Sequence, residues 1–353
     1  MKILILALSG IGDALMFTPA LKLLRSTLPG AEIDALVMFK GVKDIYDRNA
    51  CLNKVIYFDF IKEGMIESLK FIRTIRNNYD VSVNVYPSNR SEYNFINFLI
   101  GAGKRAGVKY LRKDIINLGM LNNVRVTEDD SIHNVQTNIR LIEKLLNKTF
   151  TEEPSLDFTL LDDDLSFARE YFNKINVKGD DLVIGFHPGS ATLKNHSFRR
   201  WEPEKFADLA RSLINNLNAK ILLFGGPEEF DLKKVINNLI NSPDSIIVET
   251  DNLAQSAAII KRCNLFVSND SSLMHVASAM QRRVVAIIGP TNPHYIHPWK
   301  TQYKIITLNL DCAPCFFYSP RPLICSRTDI KFKCIRELSV EMVYNAVIGL
   351  LNI

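Results

Sequence analysis

Residues 265–299 read LFVSNDSSLMHVASAMQRRVVAIIGPTNPHYIHPW, and how this stretch is parsed decides the fold. Leu265 to Ser268 is a short apolar run closing on polar residues, and from Ser271 to Met280 the apolar groups recur at helical spacing. That pattern is a strand, a tight turn and a helix. Asp270 or Ser271 is the natural N-cap, as in any ordinary capped helix of an α/β protein. A helix that starts directly off the carboxyl end of a strand in an open α/β sheet turns free N–H groups and the positive end of its dipole into the ligand crevice. Phosphate fits there, and Ser271, Ser272 and His275 offer side-chain donors on the same first turn. Val284 to Ile288 reads as the next buried strand, feeding the polar loop Gly289-Pro290-Thr291-Asn292-Pro293.

The same alternation extends in both directions. Short apolar runs at 2–8, 31–37, 55–58 and 81–85 alternate with amphipathic segments at 13–28, 61–77 and 90–100, and a second series begins near 182. Its strands fall at 182–186, 219–224, 246–248, 265–268 and 284–288, with helices at 203–216, 228–240, 252–262 and 271–280. Two α/β domains with mostly parallel sheets follow. The acidic segment 151–164, with Pro154, is the expected linker, and helix 164–174 lies near the boundary. At 353 residues the chain is longer than one core usually serves. A hydrophobic content of 47% with 23% charged residues is that of a soluble globular protein. The net charge of +5 is too weak to argue for nucleic acid, and suits an acidic substrate or an anionic membrane surface. The opening run Ile3 to Leu8 is too short to span a bilayer and reads as a buried first strand in a cytoplasmic protein.

That first strand leads into Ser9-Gly10-Ile11-Gly12-Asp13-Ala14-Leu15, which begins like a dinucleotide fingerprint but has Leu15 where the third glycine belongs. The glycine pair lets backbone approach a ligand and sets Asp13 at the mouth of the crevice, or Asp13 is simply a carboxylate favoured by the helix dipole. Farther on, Lys104 to Lys113 carries five cations in ten residues, a phosphate or carboxylate grip or a solvated basic face. Asp162-Asp163-Asp164 invites a metal reading. Its place at a helix start explains it better. Cys312-x-x-Cys315 with Cys325 and Cys334 has a loosely spaced zinc pattern, with a disulfide and reduced thiols as alternatives.

The order His187-Pro188-Gly189, Gly225-Gly226-Pro227-Glu228, Asn269-Asp270-Ser271-Ser272-x-x-His275 and Gly289-Pro290-Thr291 resembles the ADP-heptose:lipopolysaccharide heptosyltransferases, from Met1 to about Val343. The resemblance implies a metal-independent, inverting glycosyltransferase of GT-B type without a cofactor. It implies two facing Rossmann-like domains, an acceptor-side domain at 1–160 and a donor-binding domain at 176–338, with a C-terminal helix over 339–353 packing back on the first. Asp13, followed by Thr18-Pro19-Ala20-Leu21, matches the family's catalytic base, with Gly12, Arg90 and Arg105 on the acceptor side. The donor side comprises Ser190, Arg199 with Lys194 as its rival, Glu228 with Glu229 as its neighbour, and Asp270, Ser271, Ser272 and His275. Asp270-Ser271-Ser272 departs from the family's commoner Asp-Thr-Gly. The implied partners are an ADP-heptose-like donor, a lipopolysaccharide-core or other glycan acceptor and peripheral contact with the inner face of the inner membrane. A nucleotide-sugar epimerase of the same architecture and a non-catalytic sugar-nucleotide-binding protein are the alternatives.

Overall fold

The computed structural model describes residues 1–191, 193–317 and 322–353, the side chains of Leu193 and Lys194 excepted. The chain divides into two compact units, Met1–Thr159 and Leu160–Ile353. The first contains β1 (Lys2–Ala7), α1 (Ile11–Thr27), β2 (Glu32–Val37), α2 (Lys40–Tyr46), β3 (Lys54–Tyr57) and α3 (Phe60–Ile75). It continues with β4 (Val81–Asn84), α4 (Ser91–Ile100), β5 (Lys104–Lys109), β6 (Val124–Thr127) and α5 (Asn134–Leu146). The second opens with α6 (Asp162–Lys174), β7 (Val183–His187), α7 (Pro203–Leu217), β8 (Lys220–Leu223), α8 (Phe230–Ile240) and β9 (Ser245–Ile247). It is completed by α9 (Leu253–Ile260), β10 (Leu265–Asn269), α10 (Ser272–Ala279), β11 (Arg283–Ile287), α11 (Pro293–Ile296), β12 (Tyr303–Ile306), α12 (Lys333–Arg336) and α13 (Val340–Leu351).

Each unit is built on a six-stranded sheet, and the two share one order: β3-β2-β1-β4-β5-β6, and β9-β8-β7-β10-β11-β12 read from the matching edge. Every strand pair is parallel. Strand order reverses direction between β1 and β4, and again between β7 and β10. In open α/β sheets the crevice beyond the carboxyl ends of the strands at such a point is where ligands bind. The Ser9 to Asp13 turn and the 86–90 loop leave one switch point; His187 to Ser190 and Asp270 to Ser272 leave the other.

The central strands are buried on both faces, as parallel sheets with helices on either side require, and this is why they read as continuous apolar runs. Elements invisible to that pattern are α2, β5, β6, α5, α11, β12 and α12. β5, KRAGVK, keeps its end residues exposed, so what reads as a basic patch is in part a strand with charged ends. α5 starts from His133, whose Nδ1 accepts the Val135 N–H at 3.1 Å, a cap outside the usual Ser, Thr, Asp and Asn set.

The expected linker divides: residues 151–159 belong to the first unit, where Leu156 and Phe158 are buried and Asn49 Nδ2 donates to Asp157 Oδ2 at 3.0 Å, and 162–164 open α6 of the second. α6 packs on α9 inside the second unit. Where the resemblance implies a terminal helix lying on the first domain, α13 packs against α7 and β10 to β12. Its Val343, Ala346, Val347 and Leu350 join the core of Trp201, Phe206 and Leu213, and the Trp201 indole N–H donates to Leu338 O at 3.0 Å just ahead of it. Its apolar face is therefore buried within the second unit.

Pro19 lies inside α1, where its missing N–H would leave the Leu15 carbonyl without its helical donor. The Thr18 hydroxyl donates to Leu15 O at 2.7 Å instead, and Thr18 Oγ1 itself accepts the Asp157 N–H at 2.8 Å. One buried side chain thus repairs the helix and fastens the chain's exit from the unit. Thr18→Val, which keeps the shape and removes both bonds, is expected to cost roughly 1–3 kcal/mol in urea unfolding; unchanged stability would show that these groups find other partners.

Candidate active site

At the second switch point the motif residues bind one another. Asn269, the last residue of β10, accepts the Trp201 N–H at 3.0 Å and donates to Pro188 O at 2.7 Å, which clamps the His-Pro-Gly turn to its neighbour. Asp270 accepts from Arg199 Nη1 at 2.6 Å and from the Thr291 hydroxyl at 2.6 Å. Ser271 Oγ lies 2.7 Å from His187 Nδ1 and 3.0 Å from Ser268 Oγ. Ser271, not Asp270, is the N-cap residue of α10, and its side chain makes no capping hydrogen bond. Ser272 occupies the first helical position and is half-buried.

Arg199 is thus a paired cation. Its guanidinium lies 5.4 Å over the Phe316 ring, and the ion pair with Asp270 leaves the two side chains 12% and 8% exposed. Ser190 is buried, donates to His196 O at 3.1 Å and accepts from Arg200 Nε at 3.3 Å, so its hydroxyl braces the loop. The side chain of Lys194, the alternative to Arg199, lies outside the described residues.

Glu228 and Glu229 divide their work by burial. Glu228 is exposed, open to ribose hydroxyls, whereas Glu229 is buried and accepts from His187 Nε2 at 3.0 Å, from Gly226 N at 3.2 Å and from Arg200 Nη2 at 3.4 Å. Burial pushes the Glu229 carboxyl up, but the hydrogen bond from His187, the charge of Arg200 and the Gly226 N–H outweigh it and hold it below the usual carboxylate range. The motif glycines are cut to this carboxylate: a Cβ on Gly189 would lie 1.8 Å from Glu229 Oε1. Gly225, at φ +153°, would place one 2.8 Å from Oε2. Lys233, which sequence reasoning passed over, is buried and donates to Gly225 O at 3.0 Å and Val248 O at 2.9 Å, pinning the same turn. Its charged stem on an amphipathic helix gave no signal that the ammonium points inward.

In the first unit, Asp13 stands in the first turn of α1 beside Gly12, and its Oδ2 accepts the Gly10 N–H at 3.2 Å. The capping role is therefore real, and the carboxylate also lies close enough to Tyr46, Tyr93 and Tyr110 to oppose their ionisation; burial does most of that work. Arg90, the N-cap residue of α4, places its guanidinium 5.6 Å over the same Tyr93 ring. The loop between them is fixed from behind: Asn138 of α5 donates to Tyr86 O and accepts from Tyr86 N, each at 3.0 Å, and Ser9 Oγ donates to Pro87 O at 2.6 Å. Arg105 is elsewhere. It lies near the amino end of β5, with Nε on Leu121 O at 2.9 Å and Nη1 on Ala102 O at 2.8 Å, away from the carboxyl edge that carries Asp13 and Arg90.

The remaining motifs hold structure. Asp164 accepts the Leu161 N–H at 2.9 Å, closing the start of α6. All four clustered cysteines are free thiols; Cys325 Sγ accepts the Phe332 N–H at 3.2 Å, and burial together with the neighbouring thiols pushes Cys334 up to about 11. Among the described residues no group of three or more His, Cys, Asp and Glu side chains is arranged to hold a metal ion.

His275 is 3% exposed under the first turn of α10, and among the described residues its Nδ1 has no hydrogen-bond partner. Burial depresses its pKa to about 4, with His297 adding to the effect and the Asp270 carboxylate opposing it, so it presents no charge to an anion near neutrality. A folded value below the unfolded one of about 6.5 means full stability above pH 6.5, lost progressively as pH falls toward 4. Between pH 7.5 and 4.5 the parent is expected to lose roughly 2–3 kcal/mol more unfolding free energy than His275→Gln. Equal losses in urea titrations would rule out a buried neutral imidazole.

Residues 68–321 match Glycosyltransferase family 9 (heptosyltransferase). Lipooligosaccharide heptosyltransferase 2 of Haemophilus influenzae is 26% identical over 328 residues, covering 87% of this chain and 89% of that protein. Lipopolysaccharide heptosyltransferase 2 of Escherichia coli K12 is 27% identical over 322 residues, covering 87% and 88%. The solved structure of Escherichia coli ADP-heptose lps heptosyltransferase II shares the fold with a TM-score of 0.76 at 21% identity, over 100% of this chain and 99% of that one. Two parallel Rossmann-ordered sheets, motif residues gathered at both switch points and a profile match over most of the sequence agree: the chain belongs to glycosyltransferase family 9, the heptosyltransferases.

Proposed function

We propose that the chain transfers a heptosyl group, with inversion, from an ADP-heptose-like donor to a lipopolysaccharide-core or related glycan acceptor. The observation that carries this reading is the pair of equivalent switch points, one bearing a carboxylate at a helix start and the other an N-cap that leaves its helix uncapped. The second unit holds the nucleotide diphosphate. Its anionic oxygens take the first-turn N–H groups of α10, with Arg199 at their side, and Glu228 accepts from the ribose hydroxyls. The first unit holds the acceptor, with Gly12 permitting close approach and Arg90 supplying a cation. Asp13 takes the proton of the acceptor hydroxyl as its oxygen bonds to the anomeric carbon, and the bond from that carbon to the diphosphate oxygen breaks on the opposite face. A single displacement of this kind inverts the configuration.

Backbone N–H groups and protein cations neutralise the leaving diphosphate, so the reaction is read as metal-independent. No described helix is long and apolar enough to cross a membrane, and the chain is proposed to work in the cytoplasm with peripheral contact at the inner face of the inner membrane.

Two measurements test this reading. Asp13→Asn, nearly isosteric but no longer a base, is expected to bind ADP with little change and to lose transfer by about 10²–10⁴-fold; transfer near the parent rate would leave Asp13 a capping carboxylate only. Transfer by the parent is expected to persist in excess EDTA, and complete inhibition reversed by added divalent metal would overturn the metal-independent assignment.

A further inference from the structure

Ser271 has the backbone of an N-cap, φ −155° and ψ 169°, yet its hydroxyl does not cap. The hydroxyl of such a residue ordinarily accepts an N–H from the first turn, as Ser339 does here for Met342 at 3.2 Å. At Ser271 the hydroxyl is drawn the other way, to His187 Nδ1 at 2.7 Å, and His187 is in turn held by Glu229 through Nε2 at 3.0 Å. The Glu229 carboxylate accepts from Nε2, so that nitrogen carries a hydrogen, and in the tautomer with hydrogen at Nε2 alone the Nδ1 lone pair accepts from the Ser271 hydroxyl. Both carboxylate oxygens are fixed, Oε2 by the Gly226 N–H at 3.2 Å and Oε1 by Arg200 at 3.4 Å, and Gly189 and Gly225 have no side chain where Glu229 must pass.

We propose that His187 and Glu229 are positioning residues for the donor diphosphate: they hold the Ser271 hydroxyl off the start of α10, so that the diphosphate, not the protein's own cap, takes the first-turn N–H groups. The inference rests on the donor assignment above. Without the relay, Ser271 would relax into the ordinary cap and compete with the anion for the same donors.

ADP affinity, measured by calorimetry on the full chain, tests the proposal. His187→Gln reaches toward Glu229 in place of Nε2 but offers Ser271 no acceptor, and ADP is expected to bind about tenfold more weakly. His187→Asn places its carbonyl oxygen near the position of Nδ1, keeps Ser271 engaged and should stay within about threefold of the parent. A role in stability alone would not distinguish these two amides, nor would it respond to the Ser271 hydroxyl. Accordingly, adding Ser271→Ala should abolish most of the effect, with H187Q/S271A binding ADP within about twofold of S271A. Unchanged binding in H187Q, equal weakening in H187Q and H187N, or a full tenfold loss of H187Q/S271A relative to S271A would each overturn the relay. Absence of ADP binding by the parent would instead remove the donor assignment, and the relay with it.

Discussion

The buried carboxylate of Glu229 is the fixed point of the second unit's site. An anion removed from water must be met by donors, and here they come from three different segments: His187 at the end of β7, Arg200 ahead of α7, and the Gly226 backbone on its own turn. Gathering them closes the His-Pro-Gly loop, the Gly-Gly-Pro-Glu turn and the start of α10 onto one another. Gly189 and Gly225 follow from the same constraint, because a side chain on either would collide with the carboxylate.

The first unit solves a similar problem with neutral groups. Its switch-point loop is held by Asn138 around Tyr86, by Tyr110 on the Ser88 N–H and by Ser9 on Pro87, and a set of buried asparagines, Asn84, Asn94, Asn117 and Asn122, joins α4 to the strands behind it. Burial keeps the protons on Tyr46, Tyr93 and Tyr110, and the charge of Asp13 adds to that.

The second-unit cations show how pairing alters a motif's meaning. Arg199 is bound to Asp270, and the pair is close to neutral as a unit.

Periodicity and turn residues determined much of this protein unaided. Buried parallel strands are apolar throughout, so β1, β2, β7, β10 and β11 stood out, and the motifs fell at their carboxyl ends because glycine and small polar residues are needed where backbone turns beside a ligand. The Asp13 turn, the Gly-Gly-Pro-Glu turn and the small-residue start of α10 were legible on those grounds. Sequence could not show that Arg105 occupies the amino end of β5, that α13 buries its apolar face in the second unit, or that His275 sits neutral in the core. Nor could it tell Glu228 from Glu229, adjacent residues of one type, of which burial makes one a surface acceptor and the other an anchor. Sequence specifies which groups are present and their spacing along the chain; which of them satisfy one another and which stay open to a ligand is decided only when distant segments meet, because a buried polar group must take whatever partner the fold brings to it.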